Sequence, residues 1–260
     1  MKLFRYQNFI KESKEDIDSI CSKCGLYGIR NYTINDDFTI DVDGDVNLFK
    51  IGISEIPLKF GKVSGNFNCS GNKLESLEGS PEKVGGYFVC SENKLTSLSG
   101  APREVNGHFS CHDNQLKSLS GAPREVGKHF FCSDNQLTSL EGAPREVGGD
   151  FDCYGNKLTS LEGISKYISV GIYCYNNQIR DVRGVKDGWR GVFWIEGNPV
   201  HEIFKLFPKN RWDEVIEYLN EHEAIRDDKV VILQALELVF YEMSLEVPEI
   251  EEIKGYEIQF

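Results

Sequence analysis

Six cysteines, Cys69, Cys90, Cys111, Cys132, Cys153 and Cys174, stand 21 residues apart. Thiols can hold a soft metal or pair as disulfides, and both uses need sulfurs that converge on one point. A fixed interval instead places one thiol on each rung of an evenly spaced stack, so the expected role is a core column in which cysteine acts as a small hydrophobe. Cys21 and Cys24, in CSKCG, are a lone C-x-x-C without the second pair that completes a zinc site. With Ile17 and Ile20 they follow helical spacing, which predicts a core-facing helix end.

Other reactive side chains recur in the same frame. His108 and His129 occupy equivalent positions of neighbouring repeats, with Asp150 next in line. The trio suggests a metal site for a hydrolase or a small-ligand sponge, but three residues in a row across parallel strands hold the outer two about 10 Å apart at the backbone, a poor fit to one zinc. Ser110, Ser133, His112 and Asp152 include the types of a nucleophilic triad, yet ladders produce such coincidences freely and no strained turn carries the serine. Arg103, Arg124 and Arg145 beside Glu104, Glu125 and Glu146 are most simply a solvated charge lattice. The chain is therefore expected to be non-enzymatic, with no cofactor.

The elements that position these groups follow from the same period. Asn72, Asn93, Asn114, Asn135, Asn156, Asn177 and Asn198 repeat at the cysteine interval, as do Phe67, Phe88, Phe109, Phe130 and Phe151, continued by Ile172 and Phe193. Leu74 to Leu158 with Ile179, and Leu77 to Leu161 with Val182, form two further ladders, and glycines from Gly79 to Gly184 mark the turn. Alternating Phe and Cys predicts a short strand with both residues inward, while an asparagine at every bend must be hydrogen-bonded along the stack to be tolerated. The remaining segment, LTSLEGAPREV with prolines at 81, 102, 123 and 144, is too short for a regular α-helix and is expected to be 3₁₀-like or extended.

The unit F-x-C-x-x-N-x-L resembles the L-x-L-x-x-N-x-L of leucine-rich repeats over roughly residues 45–200. That resemblance implies an α/β, β-rich solenoid shaped as a horseshoe, with short parallel strands lining a concave face. Three regions are expected: a cap of helix plus strand or hairpin (1–44), the solenoid (45–199), and an acidic helical cap (200–260). The first cap would be a helix around residues 8–24 followed by YTINDDFTIDVDGDV, and the last would use helices at 200–207, 211–223 and 228–244. The YQNFIKES start, the NYTIN and TIDVDGDV run, the N-x-L-TSLEGAP repeats and the NPV-led end together look like leucine-rich-repeat proteins of tailed bacteriophages. The short repeats are also similar to those of secreted bacterial ubiquitin-ligase effectors, although no cysteine follows residue 199 to serve as their nucleophile.

On such a strand the residues flanking Phe and Cys face out. The expected binding face collects Tyr87, His108, His129, Phe131, Asp150, Asp152, Tyr154, Tyr173, Tyr175 and Trp194, with the aromatics concentrated toward its C-terminal end beside carboxylates. Exposed aromatic side chains on a rigid sheet are what an interface hot spot needs. With 29 basic and 41 acidic residues, a formal charge of −12 argues against nucleic acid, and residues 199–260 carry 15 acidic side chains against 6 basic. No apolar run suits a membrane span, and MKLFRYQNFIKESKED lacks the apolar core of a secretory signal, so the expected location is cytoplasmic, host cytoplasm if phage-encoded. The expected function is a protein-binding module that acts on a host protein, defence proteins included, by occlusion or scaffolding; a virion or adhesin component is the competing class.

Overall fold

The computed structural model describes residues 16–226 and 229–260. Residues 1–15, which include the YQNFIKES start and the first half of the expected helix around 8–24, lie outside them. The chain winds as a stack of 21-residue turns, a parallel β-solenoid. Each turn contributes two short strands to two separate sheets of eight strands. The front sheet is built from Val46–Asn47, Phe67–Asn68, Phe88–Val89, Phe109–Ser110, Phe130–Phe131, Phe151–Asp152, Gly171–Tyr173 and Val192–Trp194, all parallel.

The segment expected to be 3₁₀-like or extended turns at its glycine and is extended at its end, where two residues per turn form the second sheet. Pairs such as Glu104–Val105, Glu125–Val126 and Glu146–Val147 align in register, with each valine buried and each glutamate exposed. Lys83 reaches Glu104 at 2.8 Å and Arg103 reaches Glu82 at 3.5 Å, so the charged lattice runs between turns over half-solvated side chains. Such exposed pairs contribute little each. The third side of the turn carries the leucine ladders, fully buried from Leu74 to Leu161.

Between the sheets lies one apolar core. Phe67, Phe88, Phe109 and Phe130 stack with centroids 5.4 to 5.5 Å apart and planes within 15° of parallel. Every phenylalanine and every cysteine of the ladders is sealed from solvent. Burying one such ring is worth about 1.5–3 kcal/mol, and each stacked pair adds about 1. The asparagines join the turns. Nδ2 of Asn135 donates to the carbonyls of Cys111, Cys132 and Ser133 at 3.0 to 3.3 Å, while its Oδ1 accepts from the Leu116 N–H at 3.0 Å. The same set recurs at Asn93, Asn114, Asn156 and Asn177, which is why a polar side chain tolerates this depth.

A helix over described residues 16–26 precedes a hairpin of Tyr32–Ile34 antiparallel to Ile40–Val42, and the latter strand leads the back sheet. At the other end, helices His201–Phe204, Trp212–Glu221 and Leu233–Glu242 pack on the last turn, with Phe204 against Phe193 at 5.4 Å. The region expected to be a helix from 228 begins differently: Val230–Ile232 is a strand, paired with Ile225–Arg226 and Glu257–Gln259 in a small third sheet. Its β-branched run, Val230, Val231 and Ile232, suits a strand better than the first turn of a helix. Among the described residues no helix is long and apolar enough to cross a membrane.

Candidate functional site

The ladder register brings the expected face together. Phe131, Asp152, Tyr173 and Trp194 are successive partners across neighbouring front strands, so their side chains form one outward column. Tyr154 and Tyr175, one position beyond the cysteines, make a second, with rings 4.4 Å apart and 8° from parallel. Tyr87, His108, His129 and Asp150 stand on the third, just before the phenylalanines.

The structure gives that third column a job the sequence did not reveal. Asp45 Oδ1 accepts from the Asn66 N–H, Asn66 Oδ1 from the Tyr87 N–H, and His129 Nδ1 from the Asp150 N–H, each at 2.7 to 3.1 Å. These side chains cap the entry of the next strand, filling the space that a glycine leaves beside them. The signal was present at Asp45, Asn66 and His129, each an acceptor-bearing residue with a glycine 20 positions on, Gly65, Gly86 and Gly149. His129 Nδ1 also lies 2.8 Å from Asp150 Oδ2. Without a hydrogen, that nitrogen accepts from the backbone; with one, it donates to the carboxylate.

His108 and His129 do not aim at a common point. Their rings stack at 4.8 Å and 19°, and both lie against Phe131 at 6.0 and 5.7 Å. Burial, then the neighbouring His129 and Lys128 charges, holds His108 below the usual imidazole range, and its Nδ1 is buried without a hydrogen bond. Among the described residues no group of three histidines, cysteines or carboxylates is arranged to hold a metal. Ser110 bonds to Ser91 at 2.8 Å, and His112 bonds to Asp113 at 2.8 Å, so the serine and histidine are engaged separately.

The column and ladder together enclose a groove of about 620 Å³ across the front sheet. Small residues Val89, Ser110 and Ser133 line it together with Tyr87, His108, Phe131, Asp152 and Tyr154. Asp152 is mostly buried, and its carboxyl is pushed up to about 6 by burial, with Asp134 and Asp150 adding and the Tyr154 N–H opposing. Burial first, and then Asp150 and Asp152, also raise the Tyr173 phenol. Gly171 makes this cluster possible: a Cβ there would lie 2.9 Å from the Tyr173 ring and 3.0 Å from Asp150 Oδ1.

The C-terminal cap reaches the end of this face without covering it. Lys209 Nζ sits 4.6 Å from the Trp194 ring centre and 2.6 Å from Glu196 Oε1, yet Trp194 remains 43% exposed. The thiols are elsewhere. Burial pushes the Cys69 thiol up to about 12 and raises those of Cys90 to Cys174 as well, and Cys69, Cys90 and Cys174 point at carbonyls of the next turn. In the helix over 16–26, Cys24 is buried and Cys21 exposed; the Tyr32 phenol is pushed up to about 12, first by its hydrogen bond with Cys21.

A parallel β-solenoid bearing an aromatic and acidic groove is the class of protein that fold and site define. No protein-family model matches the chain, and no curated protein or solved structure shows significant similarity to it.

Proposed function

We propose that the front sheet is a docking surface for a partner protein and that the chain acts by occupying that partner, without chemistry of its own. The observation that carries this reading is the set Phe131, Tyr154, Tyr173, Tyr175 and Trp194, held in register on the front sheet, with Phe131 and Tyr154 lining an open groove. Large rings fixed by a rigid scaffold lose little side-chain entropy on binding, and a partner that covers them gains their burial. The groove is open and its lining runs over five front strands, from Asn68 to Asp152, which suits an extended segment or a protein edge better than an enclosed small molecule.

The repeat reads as a leucine-rich-repeat variant, whose lined sheet would then be the concave, binding side. Its resemblance to phage repeat proteins makes a bacterial host protein, including a defence protein, the partner class to test first. Affinity capture from bacterial lysate, with wild type beside a folded Tyr154→Ala, Tyr173→Ala, Tyr175→Ala variant, tests the reading. One stoichiometric protein held by the wild type alone is expected; equal capture by both would move the site off this sheet.

A further inference from the structure

The chain already binds one cation on this face. At the last front strand an aromatic residue in the middle column, Trp194, and a carboxylate in the outer column, Glu196, together hold the ammonium of Lys209, which also lies 5.3 Å from the Trp212 ring. Two strands back the same two columns carry the same two chemistries exchanged: Asp152 in the middle and Tyr154 outside. Here the cation is missing. Among the described residues no lysine or arginine pairs with Asp152; the charges that act on it are Asp134, Asp150 and His112. Tyr154 is stacked on Tyr175, so its ring is fixed as a platform.

Resting on the docking surface proposed above, we propose that Asp152 and Tyr154, with Asp134 alongside, form the seat for a lysine or arginine side chain presented by a basic segment of the partner. A cation over a tyrosine face gains from the ring quadrupole, and gains more where a desolvated carboxylate lies beside it. A carboxylate left mostly buried near other carboxylates is unfavourable in the free chain, so an arriving cation relieves a cost that a neutral segment does not. Charge complementarity therefore selects a basic segment over an acidic or neutral one, and the −12 net charge of the whole chain steers it in.

The test uses the full chain and short fluorescent peptides in which serine alternates with lysine, arginine or glutamine, read by anisotropy at low and raised salt. The lysine and arginine peptides should bind at least about tenfold tighter than the glutamine peptide, and Asp152→Asn should remove most of that preference. A Glu249→Gln, Glu251→Gln, Glu252→Gln variant controls for loose attraction to the acidic end and should leave it intact. Equal affinity for lysine and glutamine peptides, both weakened by Tyr154→Ala, would overturn the cation seat and leave the docking surface standing. Peptide binding indifferent to both Asp152 and Tyr154, or its absence, would overturn the two together.

Discussion

Tyr154 and Tyr175 stack face to face across adjacent turns, 4.4 Å between centroids and 8° from parallel. That spacing is slightly under the separation of hydrogen-bonded strands, so the rings lie along the sheet's own repeat and need no help from the caps. The aromatic face is thus a direct projection of the ladder, and what disturbs the ladder should disturb the face.

Replacing Asn135 with alanine should be among the most damaging single changes in the array. It removes three donated bonds and leaves the Leu116 N–H without its acceptor in the core. The expected loss is about 2–4 kcal/mol, measured by urea denaturation.

Gly121 tests the turn in a different way. Its φ is +91°, and a Cβ would stand 2.7 Å from the Leu98 carbonyl carbon and oxygen of the preceding turn. Backbone cannot move aside as a side chain can, so Gly121→Ala should cost about 2 kcal/mol or more, whereas alanine at Gly188, with open space around it, should cost about 1 through its positive φ alone.

The Asp152 carboxyl gives a signed pH dependence. Its folded value of about 6 lies above the ordinary 3.8, so the folded state holds the proton more tightly and this group favours folding most below pH 3.8, an advantage lost as pH rises through 6. Asp152→Asn should therefore stabilise the protein by about 1–3 kcal/mol at pH 7 and by almost nothing near pH 3.5. Denaturation midpoints at the two pH values give the comparison; a gain at low pH alone would contradict it.

Thiol labelling separates the cysteines cleanly. In the native state an alkylating reagent should reach Cys21, and the six ladder cysteines should react only as the solenoid unfolds, because they are fully buried and burial keeps them protonated. Mass spectrometry of labelled peptides across a denaturant series reads this directly.

Much of the fold was legible because a strict period constrains every rung at once. Phe130 and Cys132 announce an inward pair, Asn135 the bonded bend and Leu137 the next buried side, and repetition removes the ambiguity that one such segment would carry. The outward column of Phe131, Asp152, Tyr173 and Trp194 followed from the same alternation. The back sheet was harder to see, since strands as short as Glu125–Val126 carry almost no pattern of their own and are defined by their neighbours' hydrogen bonds. That alternation puts His129 on the outward face and the strand spacing makes it a poor metal ligand, but its role as a backbone cap depends on the neighbouring turn and is not visible in the alternation. Lys209 over Trp194 joins residues from separate elements, and no local spacing encodes such a contact.

The central claim is that a partner sits on the front sheet. The most direct test places a photo-crosslinking phenylalanine analogue at Phe131, which lines the groove, and in parallel at Glu125, exposed on the other sheet of the same turn, and irradiates each in bacterial lysate. The account predicts one crosslinked protein from position 131, lost when Tyr154, Tyr173 and Tyr175 are replaced by alanine, and no matching product from position 125. The same product from both positions, or from 125 alone, would contradict it.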